Sequence, residues 1–283
     1  CKYHFKTSQK NQDLMNKIGI LGSGWLGLAL AEKAKKKGHK VWTTTTTKSK
    51  VDRLQNKGFN AQYLNFSETS MVGEIDFFNH INTLVIMIPP GLRKNPQHNY
   101  VSLFEQIIEK TESYKIKRVL FTSSTSVYGF QKGIITETSR LMGDTQSAQQ
   151  IINVERKLQK NKNFESIIVR LGGLIGPKRH PIFALGGKVN LPNPQSPINF
   201  IHQVDAVAIL IKILENWSGN QTYNAVTPFH PSRKEYYTQM AKIANISPPK
   251  FEEMGTIRGT ISSKKIVSEL NCQFKVKNLL ILN

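Results

Sequence analysis

The sequence predicts an α/β protein built on a doubly wound parallel sheet with a smaller C-terminal region, on three observations. Short buried apolar runs alternate with amphipathic stretches of helical length, the breaks between them are short and rich in Gly, Pro and Ser, and the first apolar run passes through a glycine turn into a helix. Strands of such a sheet are covered on both faces, and ligands bind beyond their carboxyl ends.

The first element is the most informative. In "KIGILGSGWLGLALAEKAKKKGHKVWTTTTT", Ile18, Ile20 and Leu21 form a buried strand, and Gly22, Gly24 and Gly27 supply GxGxxG. Leu28, Leu30, Ala31 and Ala34 then give a helix an apolar face that ends at Gly38, and Val41-Trp42 enters a second strand. GxGxxG alone is weak evidence; between a strand and a helix it is a dinucleotide-binding signal. The turn lets the backbone approach a pyrophosphate, and the helix N-terminus offers N–H groups to the anion. The expected contacts are Gly22, Ser23, Gly24, Trp25, Leu26 and Gly27.

The second strand sets the coenzyme preference. An acid at its end would accept hydrogen bonds from the adenosine ribose, but Thr45 stands there, followed by Thr46, Thr47 and Lys48. Without the carboxylate a 2′-phosphate is not repelled, and Thr45, Thr46 and Lys48 are placed to receive it, so NADP(H) is favoured over NAD(H).

The remaining elements follow in turn. "NTLVIMIPPG" is a strand ending at Pro89-Pro90-Gly91, "YVSLFEQIIEKTESY" a helix, "KRVLFTSSTSVYG" a buried strand, "SAQQIINVERKLQK" a helix, and "FESIIVRLGGLIGP" a further strand. Pro89, Ser123-Ser124 and Gly172-Gly173 fall at ligand-facing strand ends. Pro89, Ser123 and Gly173 are therefore expected beside the coenzyme.

The 283 residues suffice for one large domain or one with an appendage. No run approaches the roughly 18 apolar residues of a membrane span, and "CKYHFKTSQKNQDLM" has no apolar stretch for a secretion signal, so the cytoplasm is expected. Residues 1–15 read as a leader outside the fold, with Met15 a plausible natural start; 16–171 read as the coenzyme-binding domain. Residues 172–283 read as mainly a substrate-binding region, with a helix near 203–216 returning to the first domain. Cys1 and Cys272 form no disulfide framework, and the seven histidines include no HExxH pair, so no metal is expected. The net charge of +20 raises nucleic-acid binding, but its densest run, Glu32 to Lys40, lies at a helix end and faces solvent, so that partner is disfavoured. The sequence does not fix an oligomeric state.

Taken together these segments resemble the extended short-chain dehydrogenase/reductase superfamily, which includes NAD(P)-dependent epimerases and dehydratases of the Rossmann class. The likeness lies in GSGWLG, the PPG turn, "TSSTSVYG", "VRLGGLIGPKRHP", "INFIHQVDAVAIL" and the C-terminal "TYNAVTPFHPSRKEYYTQMAKIANISPP" and "ISSKKIVSEL". It implies a Tyr acting as acid or base, a Lys four residues later that lowers the phenol pKa, and a strand-end hydroxyl that holds the reacting oxygen. Ser124 matches that hydroxyl. Counting back from Glu155, however, Ser147 and Ile151 occupy the Tyr and Lys positions. Tyr128, in a glycine-containing loop and without an evident cation, is the substitute acid, with an ordered water as the alternative. The loop after the following strand implies substrate contacts from Arg179 and His180; Arg170 is expected to pair inside the fold, and His202 and Asp205 to orient and cap the following helix. Two functions are expected from this pattern: an NADP(H)-dependent oxidoreductase or epimerase-like enzyme on a small polar, phosphorylated or nucleotide-linked substrate, or an NADP(H)-binding sensor without turnover.

Overall fold

The structure is a computed structural model that describes residues 17–282; the leader expected at 1–15 lies outside them. From its start the described chain runs β1 (Lys17–Leu21), α1 (Trp25–Lys36), β2 (Lys40–Thr45), α2 (Lys48–Gln55), β3 (Asn60–Phe66), β4 (Met71–Gly73), a 3₁₀ turn (Ile75–His80), β5 (Thr83–Ile86), α3 (Tyr100–Ser113) and β6 (Arg118–Ser124). A second 3₁₀ turn (Thr125–Tyr128) precedes β7 (Ile134–Ile135), α4 (Gln146–Lys160), β8 (Glu165–Leu171), β9 (Gly173–Ile175) and α5 (Ile182–Leu185). Then come β10 (Phe200–His202), α6 (Gln203–Glu215), β11 (Gln221–Ala225), α7 (Arg233–Ile243), β12 (Thr260–Ile261) and α8 (Lys264–Leu270).

Eight strands form one sheet in the order β11-β8-β6-β5-β1-β2-β3-β4. β1 pairs in parallel with β2 and β5, β2 with β3, and β5 with β6, whereas β4 turns back antiparallel on β3 at the edge. Parallel neighbours need crossovers, and the intervening helices supply them. This is the α/β class that the alternation predicts. Contacts divide the chain into two compact units: one holds the described residues up to 122 with 150–168 and 210–221, the other 123–149, 169–209 and those from 222 on.

In the first unit, Ile18, Ile20 and Leu21 of β1 are at most 1% exposed. α1 buries Leu26, Gly27, Leu30, Ala31 and Ala34, while Leu28, expected to face inward, is only half-buried. Full burial of Leu30 alone contributes about 2 kcal/mol. The helix stops where the sequence places its end: Gly38 takes φ +87°, and the His39 N–H donates to the Ala34 carbonyl at 3.1 Å. Among the described residues no helix is long and apolar enough to cross a membrane.

The second unit has its own apolar cluster, in which Ile175, Ile182 and Ile198 pack with Tyr236, Tyr237 and Met240 of α7 and with Leu279. α7 starts with a capping box: Ser232 accepts the Glu235 N–H while Glu235 accepts the Ser232 N–H. One expected strand is shorter than its sequence suggested. β6 ends at Ser124 instead of continuing to Tyr128, because the Ser124 hydroxyl accepts the Ser126 N–H at 3.1 Å and diverts the backbone into the second 3₁₀ turn.

Candidate functional site

At the carboxyl end of β1 the chain must bend sharply to start α1. Gly22 takes φ +104°, where a side chain would be strained, and a Cβ on Gly27 would lie 2.1 Å from the Gly22 carbonyl oxygen, so the helix starts directly on the bend. Thr44 of β2 locks the bend from the side. Its Oγ1 accepts the Gly22 N–H at 3.3 Å, and its carbonyl accepts the Ser23 N–H at 3.0 Å. Those two amides are used by the fold, so an anion must look to the start of α1. There Gly24 is the N-cap, no side chain caps the helix, no acid stands in the first turn, and Trp25 and Leu26 follow, half-buried and buried.

Two further features fit this bend to a dinucleotide diphosphate. A Cβ on Gly24 would meet nothing within 4 Å, so the glycine keeps open a space the fold leaves unfilled. Ser23 is 3% exposed, yet its Oγ has no hydrogen-bond partner. A buried hydroxyl left unsatisfied costs about 1–3 kcal/mol, a cost that an incoming phosphate oxygen removes.

β2 ends at Thr45, which is buried and whose Oγ1 accepts the Thr47 N–H at 3.2 Å; Thr46 and Lys48 are exposed. Lys48 opens α2 with its ammonium 5.3 Å from the centroid of the Tyr63 ring. The cation that reaches the glycine bend is Lys50, whose Nζ donates to the Ser23 carbonyl at 2.6 Å. Reading from the strand end passes over it. The signal was in the helix: side chains lean toward a helix's own N-terminus, so the third residue of α2 covers the segment before it. Pro89 is exposed beyond β5, where the Met87 N–H donates to the Leu21 carbonyl at 2.9 Å. The Tyr100 phenol, donating to the Ile88 carbonyl at 2.5 Å, fixes the same segment, and burial raises its pKa.

In the second unit, Ser123 is buried and Ser124 half-buried at the end of β6. Tyr128 is 1% exposed. Its phenol donates to Asn224 Oδ1 at 2.7 Å and accepts from Arg170 Nη1 at 2.8 Å, with the guanidinium carbon 5.0 Å from the ring centroid. Arg170 also donates to the Glu137 carbonyl at 3.2 Å, and Glu137 Oε1 accepts the Asn224 N–H at 2.8 Å. The expectation that Tyr128 lacks a neighbouring cation is thus corrected. Burial still outweighs that cation: desolvation raises the phenol pKa against the opposing pull of Arg170. The phenol's donor and an acceptor position are both engaged inside the fold. On α4, Ser147 is half-buried and Ile151 buried, at the positions where the family resemblance puts Tyr and Lys.

Beyond β8 the Gly172 N–H donates to the Ala225 carbonyl at 3.0 Å, and the exposed Gly173 opens β9, its N–H donating to the Asn199 carbonyl at 2.9 Å. Gly176 and Arg179 exchange backbone hydrogen bonds at 3.0 and 2.9 Å around Lys178, which takes φ +57°, and this tight turn holds Arg179 at the surface. His180 is buried. Its Nδ1 accepts the Ile182 N–H at 3.1 Å, which leaves Nε2 to donate to the Tyr236 phenol at 2.8 Å; that phenol donates onward to the Leu279 carbonyl at 3.0 Å. Desolvation lowers the His180 pKa to about 4, so the ring is neutral at pH 7. Asp205 does not cap its own helix. It is the third residue of α6, and its carboxylate accepts the N–H groups of Lys275 and Val276 at 2.7 and 3.0 Å, while His202 Nδ1 accepts the Val204 N–H at 3.3 Å.

Comparison with known proteins bears on the family and the fold. The family model described as "NAD dependent epimerase/dehydratase family" matches residues 20–225. Protein YeeZ of Escherichia coli strain K12 is 30% identical over 273 residues, which cover 95% of this chain and 99% of YeeZ. Among solved structures, MoeE5 in complex with UDP-glucose and NAD superposes with a TM-score of 0.75 at 17% identity, covering 93% of this chain and 95% of that one. UDP-N-acetylglucosamine 4-epimerase from Bacillus cereus gives a TM-score of 0.75 at 15% identity over 92% and 94% of the two chains. At such identities the superpositions establish the fold, while the family model and the YeeZ alignment reach further: the chain belongs to the NAD dependent epimerase/dehydratase family.

Proposed function

We propose that the protein binds NADP(H) in preference to NAD(H) and acts as an oxidoreductase or epimerase-like enzyme on a small polar, phosphorylated or nucleotide-linked substrate. The observation that carries this reading is the glycine bend itself, with the orphaned Ser23 hydroxyl, the open space at Gly24 and the Lys50 ammonium on the Ser23 carbonyl. Residues 43–50 contain three cation-or-hydroxyl types, Thr, Lys and Ser, and no carboxylate to repel a 2′-phosphate. When bound, the nicotinamide supplies or accepts the hydride. The chain's own groups bind and orient: the N-terminus of α1 and Ser23 take the diphosphate, Lys50 and the Thr45-Thr46 pair take the adenosine phosphate, and Ser124 takes the reacting oxygen. Arg179, held at the surface by its turn, offers a planar fork to a substrate phosphate. The buried Tyr128 keeps Ser124 in place by anchoring the turn that Ser124 caps, and an ordered water carries the proton.

One observation favours a second reading. A phenol with a raised pKa and both polar positions engaged is a poor acid or base, and α4 carries Ser147 and Ile151, so a coenzyme sensor without turnover is the alternative. Oxidation of NADPH across a panel of carbonyl compounds and nucleotide sugars separates the two. Turnover abolished by Ser124→Ala supports the enzyme; tight coenzyme binding without turnover on a broad panel supports the sensor.

A further inference from the structure

Cations gather at the amino-terminal end of the parallel sheet in the first unit, the opposite end of β1 from the glycine bend. Lys17 opens β1, Lys40 opens β2 and Arg118 opens β6, and Lys115, Lys117 and Lys162 lie in the segments that lead into β6 and β8. All are exposed except Arg118, which is half-buried with its guanidinium 5.6 Å from the Trp217 ring centroid. The last turn of α1 adds Lys33, Lys35 and Lys36 at the same rim. Carboxylates share this rim but are outnumbered by its cations: Glu215 pairs with Lys37 at 3.3 Å, while Glu165 accepts from Trp217 Nε1 at 2.6 Å and Glu112 from Asn161 and Asn163 at 2.6 and 3.0 Å.

Helix polarity accounts for the lysines of α1, since cations complement a helix C-terminus. It does not account for those on the strands, which carry little net dipole. The register pairs Lys17 directly with Lys40 on adjacent strands, a like-charge arrangement that weakens a sheet. Three strand spacings separate β6 from β2, so Arg118 and Lys40 mark out about 14 Å of cationic edge. That length spans about four phosphates of one strand of a duplex.

We propose that this amino-terminal rim, with Lys17, Lys40 and Arg118 at its centre, is a docking surface for the phosphate backbone of a nucleic acid. Binding there reads no base sequence and leaves the glycine bend open, because the two lie at opposite ends of β1. The test is fluorescence anisotropy of a labelled mixed-sequence DNA duplex of about two helical turns with the full chain. Affinity is expected to fall steeply between about 50 and about 200 mM salt, with a log–log slope of about −4. Lys17→Gln with Lys40→Gln should weaken binding by about tenfold or more and make the slope shallower by about two, with thermal melting unchanged or raised because the repulsive pair is gone. Lys50→Ala should leave duplex binding as it was. The proposal is overturned by absent binding at about 50 mM salt, by duplex binding indifferent to the Lys17/Lys40 change, or by loss of duplex binding to competing anionic phosphatidylserine vesicles that bind the rim more tightly.

Discussion

Replacing Lys50 with Ala probes the coenzyme selectivity most sharply. The ammonium is half-buried and already desolvated enough to hold the Ser23 carbonyl at 2.6 Å. Two opposite unit charges about 4 Å apart are worth about 1 kcal/mol in bulk water and about 4 kcal/mol at the effective dielectric of a protein surface. A charge-assisted hydrogen bond measured by deletion falls between these, at about 1.5–3 kcal/mol. Loss of Lys50 should therefore weaken NADPH by about 10- to 150-fold in Kd and NADH by less than about threefold. Lys48, exposed and set over Tyr63, should cost at most about 1 kcal/mol when replaced by Ala. Titration of both variants by NADPH and NADH fluorescence gives the comparison. Equal losses for the two coenzymes, or a larger loss from Lys48→Ala than from Lys50→Ala, would refute the reasoning.

Other outcomes follow from the same geometry. Ser23→Ala removes an unsatisfied buried hydroxyl, so the coenzyme-free protein should melt at the same temperature or higher while the stabilisation by NADPH shrinks; differential scanning fluorimetry with and without NADPH reads both. Tyr128→Phe removes the phenol that donates to Asn224 Oδ1 and accepts from Arg170 Nη1 and should cost about 1–3 kcal/mol in urea denaturation, with any turnover retained; loss of turnover at unchanged stability would make the phenol a catalytic acid instead. His180 carries a folded-state pKa of about 4, below its unfolded value, so protons bind preferentially to the unfolded chain as pH falls from about 6.5 to about 4. Its contribution is full above that window and lost within it, and His180→Gln should flatten the fall in stability measured across it.

Much of the first unit was legible because its signals are local. The GxGxxG turn, the apolar face of α1 and the stop at Gly38 each depend on residues adjacent in sequence, and the structure shows them as read except at Leu28, which is only half-buried. The orphaned Ser23 hydroxyl was not legible, since its burial without a partner depends on segments packed around the bend from elsewhere in the chain, such as Thr44, which holds the Gly22 N–H from 22 residues away. Lys50 was missed by counting from the strand instead of following the lean of a helical side chain. In the second unit the surroundings of Tyr128 come from Arg170 and Asn224, both distant in sequence, and no spacing rule joins them. The early end of β6 had a local cause, the hydroxyl of Ser124 competing with the strand for the backbone, which the β-favouring composition of "VLFTSSTSV" concealed.

The claim beneath the rest is that the bend between β1 and α1 holds a pyridine dinucleotide, and amide NMR reads it directly. Adding NADP⁺ to labelled protein should give saturable shifts centred on the amides of Ser23, Gly24, Trp25 and Leu26. Shifts absent with both NADP⁺ and NAD⁺, or saturable shifts only at residues remote from the bend, would contradict it.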